Sequence, residues 1–330
     1  MTACALTGSE EELAGAVKRA VALLAAGEPV ALPTETVYGL AADALNAEAV
    51  AKIFEAKERP FFDPLIVHLP DREWLDRIAS IPAKIRPLVE ALTTAFWPGP
   101  LTLVLPRNPI VPELVTSGLE TVAVRMSAHP VFGAVARSFG KPLAAPSANR
   151  FGRISPTKAD HVLSELDGRI QLVVDGGPAL HGVESTIVAF QDQALRILRS
   201  GPVTREQLEA FSPVRNAEIT PHKPEAPGQL ASHYAPRTPL QILWPGQSSI
   251  PSDGVGLLAW RETPAAGSYA QVEILSPQAD LREAAATLFA KMRRLDEAGL
   301  KRILVEAVPE QGLGVAIMDR LRRAAHSTRP

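Results

Sequence analysis

The sequence predicts an α/β protein in two units: an open mixed sheet with helices, then a smaller α/β unit joined to it by a proline-rich connection. Three observations lead there. Short apolar runs alternate with stretches of helical period. Several runs are apolar nearly throughout, as strands buried on both faces are. Prolines crowd between residues 212 and 239, at Pro213, Pro221, Pro224, Pro227, Pro236 and Pro239, where a stiff, extended chain poor in secondary structure is expected. The resulting boundaries are 1–211, 212–239 and 240–330.

The elements can be taken in order. Ser9 and Glu12 form a capping box, Leu13, Val17, Val21 and Leu24 mark one helical face, and Gly27 closes that helix. PVALPT (29–34) reads as a strand, and Asn46 caps a second helix with Val50, Ile53 and Phe54 on one side. LIVHL (65–69), LTLVLP (101–106), TVAVRM (121–126), PLAAPS (142–147), QLVVDGG (171–177), STIVAF (185–190) and ALRILRS (194–200) are strand candidates, with helices near 83–96, 130–139 and 157–166. Thr204 and Gln207 start a last helix by the capping-box pattern. Beyond the connection come strands LQILW (240–244), VGLLAW (255–260), QVEILS (271–276) and ILVEAV (303–308), a long helix from Asp280, and a final helix over 315–325.

Bulk properties exclude several classes. The 330 residues carry 34 basic and 36 acidic side chains, a formal net charge of −2, unlike a dedicated nucleic-acid coat or membrane-surface protein. A single cysteine, Cys4, rules out a disulfide framework within the chain and all but excludes a cysteine zinc site. No segment approaches the roughly 18 uninterrupted apolar residues of a membrane helix. MTACALTGSEEE turns acidic too soon for a signal peptide, so a soluble cytoplasmic protein is expected.

The chemistry is concentrated in polar motifs at strand ends, where open α/β sheets bind ligands. PTETVYGL (33–40) places Thr34, Glu35, Thr36 and Tyr38 there, either as a ligand loop or as a turn rich in hydrogen-bonding side chains. In AKERPFFDPLIVH (56–68), Lys57 and Arg59 stand where a helix ends and the chain must turn. They either complement the helix dipole or hold an anion. Arg125 lies on an apolar strand, so it needs an anionic partner, either a structural carboxylate or a substrate's. APSANRFGRISPT (145–157) offers Ser147, Asn149, Arg150, Arg153 and Ser155 around Gly152: a phosphate cradle or a polar surface loop, but not a Walker A loop. HGVESTIV (181–188) adds Glu184, Ser185 and Thr186, and RILRSGPVT (196–204) adds Arg199 and Ser200. No Ser–His–Asp order, HExxH or paired CxxC is present. Cations, hydroxyls and one candidate imidazole, His68, suit a reaction in which bound substrates attack one another while the protein stabilises phosphate charge.

Taken in order, PTETVYGL, KERPFFDPLIVH, FWPGPLTLVL, VAVRMSAHP, APSANRFGRISPT, VESTIV and ILRSGPVT resemble the threonylcarbamoyl-adenylate synthase family, the YrdC-like proteins, from residue 10 to about 205. The connection PGQLASHYAPRTPL and the chain beyond it are similar to the long, two-domain branch of that family. The resemblance implies a YrdC-like open twisted mixed sheet followed by a smaller Rossmann-like domain. It also implies a nucleotidyltransferase that makes threonylcarbamoyl-AMP and pyrophosphate from L-threonine, bicarbonate and ATP with Mg²⁺, for other proteins to transfer to tRNA. Carried over by motif, Lys57 and Arg59 look like the phosphate-binding, catalytic pair. Thr36, His68, Arg125, Ala145 and Ser185 look like threonine-binding positions, Ala145 through its backbone. Asp63, Thr121, Ser147, Asn149, Ser155 and Arg199 look like nucleotide contacts. Asp63 departs from the asparagine common in the family, and a carboxylate there would repel phosphates unless it helps hold the metal.

Three rival readings compete with this one. An RNA-binding module without catalysis is disfavoured by the near-neutral charge and the lack of an aromatic stacking platform, so no stable nucleic-acid binding is expected. A hydrogenase-maturation carbamoyltransferase would carry zinc-finger cysteines. A purely structural protein would not need so many polar strand ends. Within the connection, His233 and Tyr234 are the most chemically specialised residues. They lead to the expectation of a lid, with Tyr234 near the nucleotide and the second unit as its anchor.

Overall fold

The structure, a computed structural model, describes residues 1–192, 194–216, 225–230, 233–247, 253–262 and 269–326. Pro221, Pro224 and the Ala231–Ser232 pair of the connection lie outside the described residues.

The chain opens with β1 (Ala3–Leu6) and α1 (Glu10–Ala25), whose Ser9–Glu12 capping box forms as expected. Its most buried positions are Ala16, Ala20 and Leu24, with Leu13, Val17 and Val21 flanking that stripe. A hairpin follows, β2 (Val30–Leu32) and β3 (Gly39–Asp43), then α2 (Ala47–Lys57), capped by Asn46, and β4 (Ile66–His68). Short α3 (Leu75–Ile78) and longer α4 (Arg86–Phe96) precede β5 (Leu101–Pro106). Next come α5 (Glu113–Thr116), β6 (Thr121–Arg125), α6 (Pro130–Phe139), the two-residue β7 (Leu143–Ala144), α7 (Ala159–Leu166) and β8 (Leu172–Asp175). The first sheet closes with β9 (Thr186–Gln191), β10 (Ala194–Arg199), α8 (Arg205–Glu209) and β11 (Val214–Asn216).

These eleven strands form one mixed sheet in the order β1-β8-β2-β3-β7-β4-β6-β5-β9-β10-β11. The order brings β4 and β6 side by side in parallel, with His68 opposite Arg125. β7 lies antiparallel to β4 on the other side, with Leu143 opposite His68, so the chain leaves it beside Ile66, whose carbonyl accepts from the Ala145 amide. β11 begins at Val214, inside the segment expected to be linker, and pairs in parallel with β10.

The second unit is a four-stranded parallel sheet of β12 (Leu240–Leu243), β13 (Val255–Ala259), β14 (Gln271–Ile274) and β15 (Arg302–Glu306), in the order β12-β15-β13-β14. Helices α9 (Leu281–Glu297) and α10 (Leu313–Ala325) cover it. Its apolar core does not stop at its own boundary. Val37, Ile154 and Val183 of the first unit and Tyr234 of the connection belong to the same buried cluster as Leu288, Phe289 and Met292.

Candidate active site

The cleft is built by strand ends whose loops fold on their own side chains. After β2, Thr34 turns the chain with its own hydroxyl: Oγ1 donates to the Val37 carbonyl at 2.6 Å and accepts from the Thr36 and Val37 amides. The loop after β7 packs against this turn, with the Leu40 amide donating to Pro146 and the Ala148 amide to Tyr38. Gly39 permits the approach, since a Cβ there would lie 3.3 Å from that of Ala145.

Arg125 lines the cleft. Its Nη2 meets Glu35 Oε1 at 2.6 Å, Nη1 donates to Thr36 Oγ1 at 3.0 Å, and Nε donates to the Gly99 carbonyl at 3.2 Å. Ser127 donates to the other Glu35 oxygen. Burial alone would raise the Glu35 carboxyl, but Arg125 and these hydrogen bonds outweigh it and bring its pKa down to about 2. Arg125 therefore has the structural carboxylate partner that its sequence context left open, and it lines the cleft as well. His68 beside it is held neutral: burial first, then the Arg125 charge, lower its pKa to about 3. Its Nδ1 has no hydrogen-bond partner.

Arg59 and Arg199 also line the cleft. Arg59 is fixed by donating to the carbonyls of Asp63 and Pro64, and Arg199 by donating to those of Ser185 and Pro227. Lys57 corrects the expectation of two cations aimed at the substrate. It is only 1% exposed and is not among the residues lining the cleft; its Nζ donates to the Ser147 and Asn149 carbonyls. Burial, then the neighbouring Arg59, pushes its pKa well below the usual lysine range. It is a strut beneath the loop that presents Ser147. Neither cation is a solvated helix end, because Glu58 takes the left-handed conformation (φ 53°) and turns the chain inward after Lys57. Asp63 is fully buried with Oδ2 2.8 Å from Arg59 Nη2, yet neither of its oxygens accepts a well-directed hydrogen bond. Burial raises its pKa, against the pull of Arg59, Lys57 and Arg199.

The connection closes the cleft. Pro227, Gly228, His233 and Tyr234 line it. Tyr234 adopts φ 62°, strained for a non-glycine residue, and its hydroxyl approaches Gly228 so closely that a Cβ there would lie 2.7 Å away. Its ring stacks on Phe289 of α9, with centroids 5.6 Å apart. Burial raises its phenol pKa to about 12, and its hydroxyl has no partner.

Thr36, His68, Arg125, Ala145, Arg59, Ser147, Arg199 and Tyr234 thus meet in one cleft. Ser185, Asn149 and Ser155 stand behind its wall instead. Ser185 Oγ accepts from Arg199 at 3.1 Å, Asn149 donates to the Arg150 and Arg153 carbonyls, and Ser155 donates to Glu184. Thr121 is not among the residues lining the cleft. It begins β6, opposite Pro106, and the parallel register of β6 with β4 sets it level with Pro64, whose carbonyl accepts from Arg59. Sequence reasoning passed over Gly228 and Arg320. Arg320 had a signal: it falls on the apolar stripe of α10 with Ala316, Ile317, Leu321 and Ala324.

Three guanidinium groups, a neutral imidazole and fixed hydroxyls, covered by the connection, define an α/β protein whose cleft is suited to binding and orienting anions. Residues 22–201 match the Sua5/YciO/YrdC family, described as "Telomere recombination", and residues 203–326 match the C-terminal domain of threonylcarbamoyl-AMP synthase. The chain belongs to this family in its two-domain form. It is 43% identical over 324 residues to the threonylcarbamoyl-AMP synthase of Bacillus subtilis, across 94% of this chain and 92% of that one. Among solved structures, Pyrococcus abyssi Sua5 in complex with L-threonine is similar at TM-score 0.86 and 35% identity, covering 98% of this chain and 97% of that one. A variant of the same Sua5 with a histidine and a tyrosine replaced by alanine matches at TM-score 0.89 and 35% identity, covering 98% and 96%.

Proposed function

We propose that the chain is an L-threonylcarbamoyladenylate synthase, a nucleotidyltransferase forming threonylcarbamoyl-AMP and pyrophosphate from L-threonine, bicarbonate and ATP for modification of tRNA. The observation that carries this is the cleft's lining: Arg125, Thr36 and neutral His68 share one cleft with Arg59 and Arg199. Threonine's carboxylate shares the Arg125 guanidinium, whose orientation Glu35 fixes. His68 offers an unprotonated nitrogen to a polar group of threonine. The amine nitrogen bonds to the bicarbonate carbon with loss of water. A carbamate oxygen then attacks the α-phosphorus while the bond to the bridging oxygen breaks and pyrophosphate departs. Charge grows on that leaving group, and Arg59 and Arg199 are placed to balance it. Lys57 acts indirectly, by holding the loop that carries Ser147.

Among the described residues no three His, Cys, Asp or Glu side chains gather as a metal cage. Mg²⁺ would therefore enter with the nucleotide, neutralising its phosphates. Asp63 does not fit a direct part in holding it: the carboxyl is fully buried, lies 2.8 Å from Arg59 Nη2 and is not among the residues lining the cleft. The product is a mixed anhydride that water destroys, so its consumers are proteins that transfer the threonylcarbamoyl group to tRNA. The test is incubation with all three substrates and detection of the adenylate by mass. Pyrophosphate release should require both threonine and bicarbonate; release undiminished without threonine would reject the assignment.

A further inference from the structure

The second unit reaches the cleft through a side chain that the reaction scheme does not use. Arg320, on α10, is fully buried. Its Nε donates to Glu184 Oε2 at 2.8 Å, and its guanidinium carbon lies 5.2 Å from the centre of the Tyr234 ring. Nη1 donates to Asp319 at 2.7 Å, while Nη2 has no hydrogen-bond partner. Glu184 belongs to the first unit, lines the cleft, and accepts at Oε1 from Ser155 of the 145–157 loop. One guanidinium thus touches the cleft wall and the lid together. For holding two units together, an apolar side chain would serve better, since burying a guanidinium carries a heavy desolvation cost.

We propose that Arg320 is a positioning residue for the nucleotide: it holds Glu184 and Tyr234 in the arrangement that closes the cleft. The second unit acts on the reaction through this contact. The inference rests on the synthase assignment above. It is specific to one substrate, because Arg125 bonds to Glu35, Thr36 and Gly99 and not to Arg320.

The test uses the full chain and four variants: Arg320→Met, Arg320→Lys, Glu184→Gln, and the Arg320→Met/Glu184→Gln pair. ATP binding is measured by calorimetry, and KM for each substrate by pyrophosphate release. Arg320→Met should weaken ATP binding and raise its KM roughly tenfold, the scale of one charge-assisted contact, and move the threonine KM by less than about threefold. Arg320→Lys, which keeps the charge, should recover part of the loss. The double variant should be no worse for ATP than the weaker single variant, because both changes break the same contact. Wild-type ATP affinity in Arg320→Met, equal losses for both substrates, or losses that multiply in the double variant would each overturn the proposal. Should Arg320→Met fail to fold, Arg320→Lys paired with Glu184→Gln gives the same comparison. A wild-type chain that binds ATP but makes no adenylate rejects the synthase assignment alone, because the calorimetric comparison still reads Arg320.

Discussion

Glu35 and His68 make the surroundings of Arg125 a record of pH. The unfolded Glu35 carboxyl titrates near 4.5 and the folded one near 2, so the unfolded chain takes up that proton first. Its contribution to stability is present above pH 4.5 and is lost as pH falls through about 2. His68 acts in the same direction at higher pH: unfolded near 6.5, folded at about 3, it favours the unfolded chain increasingly as pH falls between those values. His161, lowered to about 4 by burial and then by Arg293, adds to the same slope. The melting temperature should therefore fall steadily below pH 6.5. His68→Gln should flatten the slope between pH 6.5 and 3, and Glu35→Gln should flatten it below 4.5. Melts followed by circular dichroism check both, and slopes unchanged in the variants would count against these assignments. Lys57 and Arg59 should also separate. Lys57→Met removes two bonds to loop carbonyls and should cost roughly 2–3 kcal/mol of stability. Arg59→Met should lower kcat/KM for ATP roughly ten- to a hundredfold. Arg59→Met also breaks two carbonyl bonds and the ion pair to buried Asp63, so denaturant unfolding should show a loss in both variants and steady-state kinetics separates them.

Among the elements, the strands that escaped the sequence show what periodicity cannot see. GLAAD, which forms β3, has no β-branched or aromatic residue and only weak strand propensity. It is a strand because β2 and β7 pair with it on either side and all five residues are buried. β11 is three residues flanked by proline-rich chain, too short for any pattern. Thr121 exposes a different limit. TVAVRM reads plainly as a strand, but its alternation does not say which of its residues line a cleft; Arg125 does and Thr121 does not. That the connection crosses the cleft was legible because His233 and Tyr234 are chemically out of place in a tether; Gly228 was not, since it matters through Tyr234 and Arg199, which the fold brings against it. The buried Tyr234 hydroxyl lacks a partner, so Tyr234→Phe should leave the melting temperature unchanged or raised. If that hydroxyl serves the nucleotide, the same change should raise the ATP KM roughly three- to tenfold. Gly228→Ala, at φ 80°, should instead lower both stability and ATP affinity by driving a methyl group toward Tyr234 and Arg199. Melting curves read beside ATP titrations tell the two effects apart.

For the whole molecule, seven ordered motifs made the first unit and its chemistry readable, while the joining of the two units was not. Val37, Ile154 and Val183 look like ordinary core residues of one domain, yet they pack into the core of the other. A chain stopped after Phe211 would lose β11 and leave those three side chains facing water. It is expected to aggregate or melt well below the full protein, seen by light scattering and calorimetry, and so would be a poor test of the lid. Intact protein should unfold in one transition; two resolved transitions would contradict the shared core.

Tyr234 carries one more consequence. Its ring is wedged in the interior of the second unit while its side chain walls the cleft, so no simple side-chain rotation can uncover a bound adenylate. Moving the ring aside requires breaking its packing against Phe289, so the opening of this cleft is drawn from the stability of the second unit and not from the freedom of a loop.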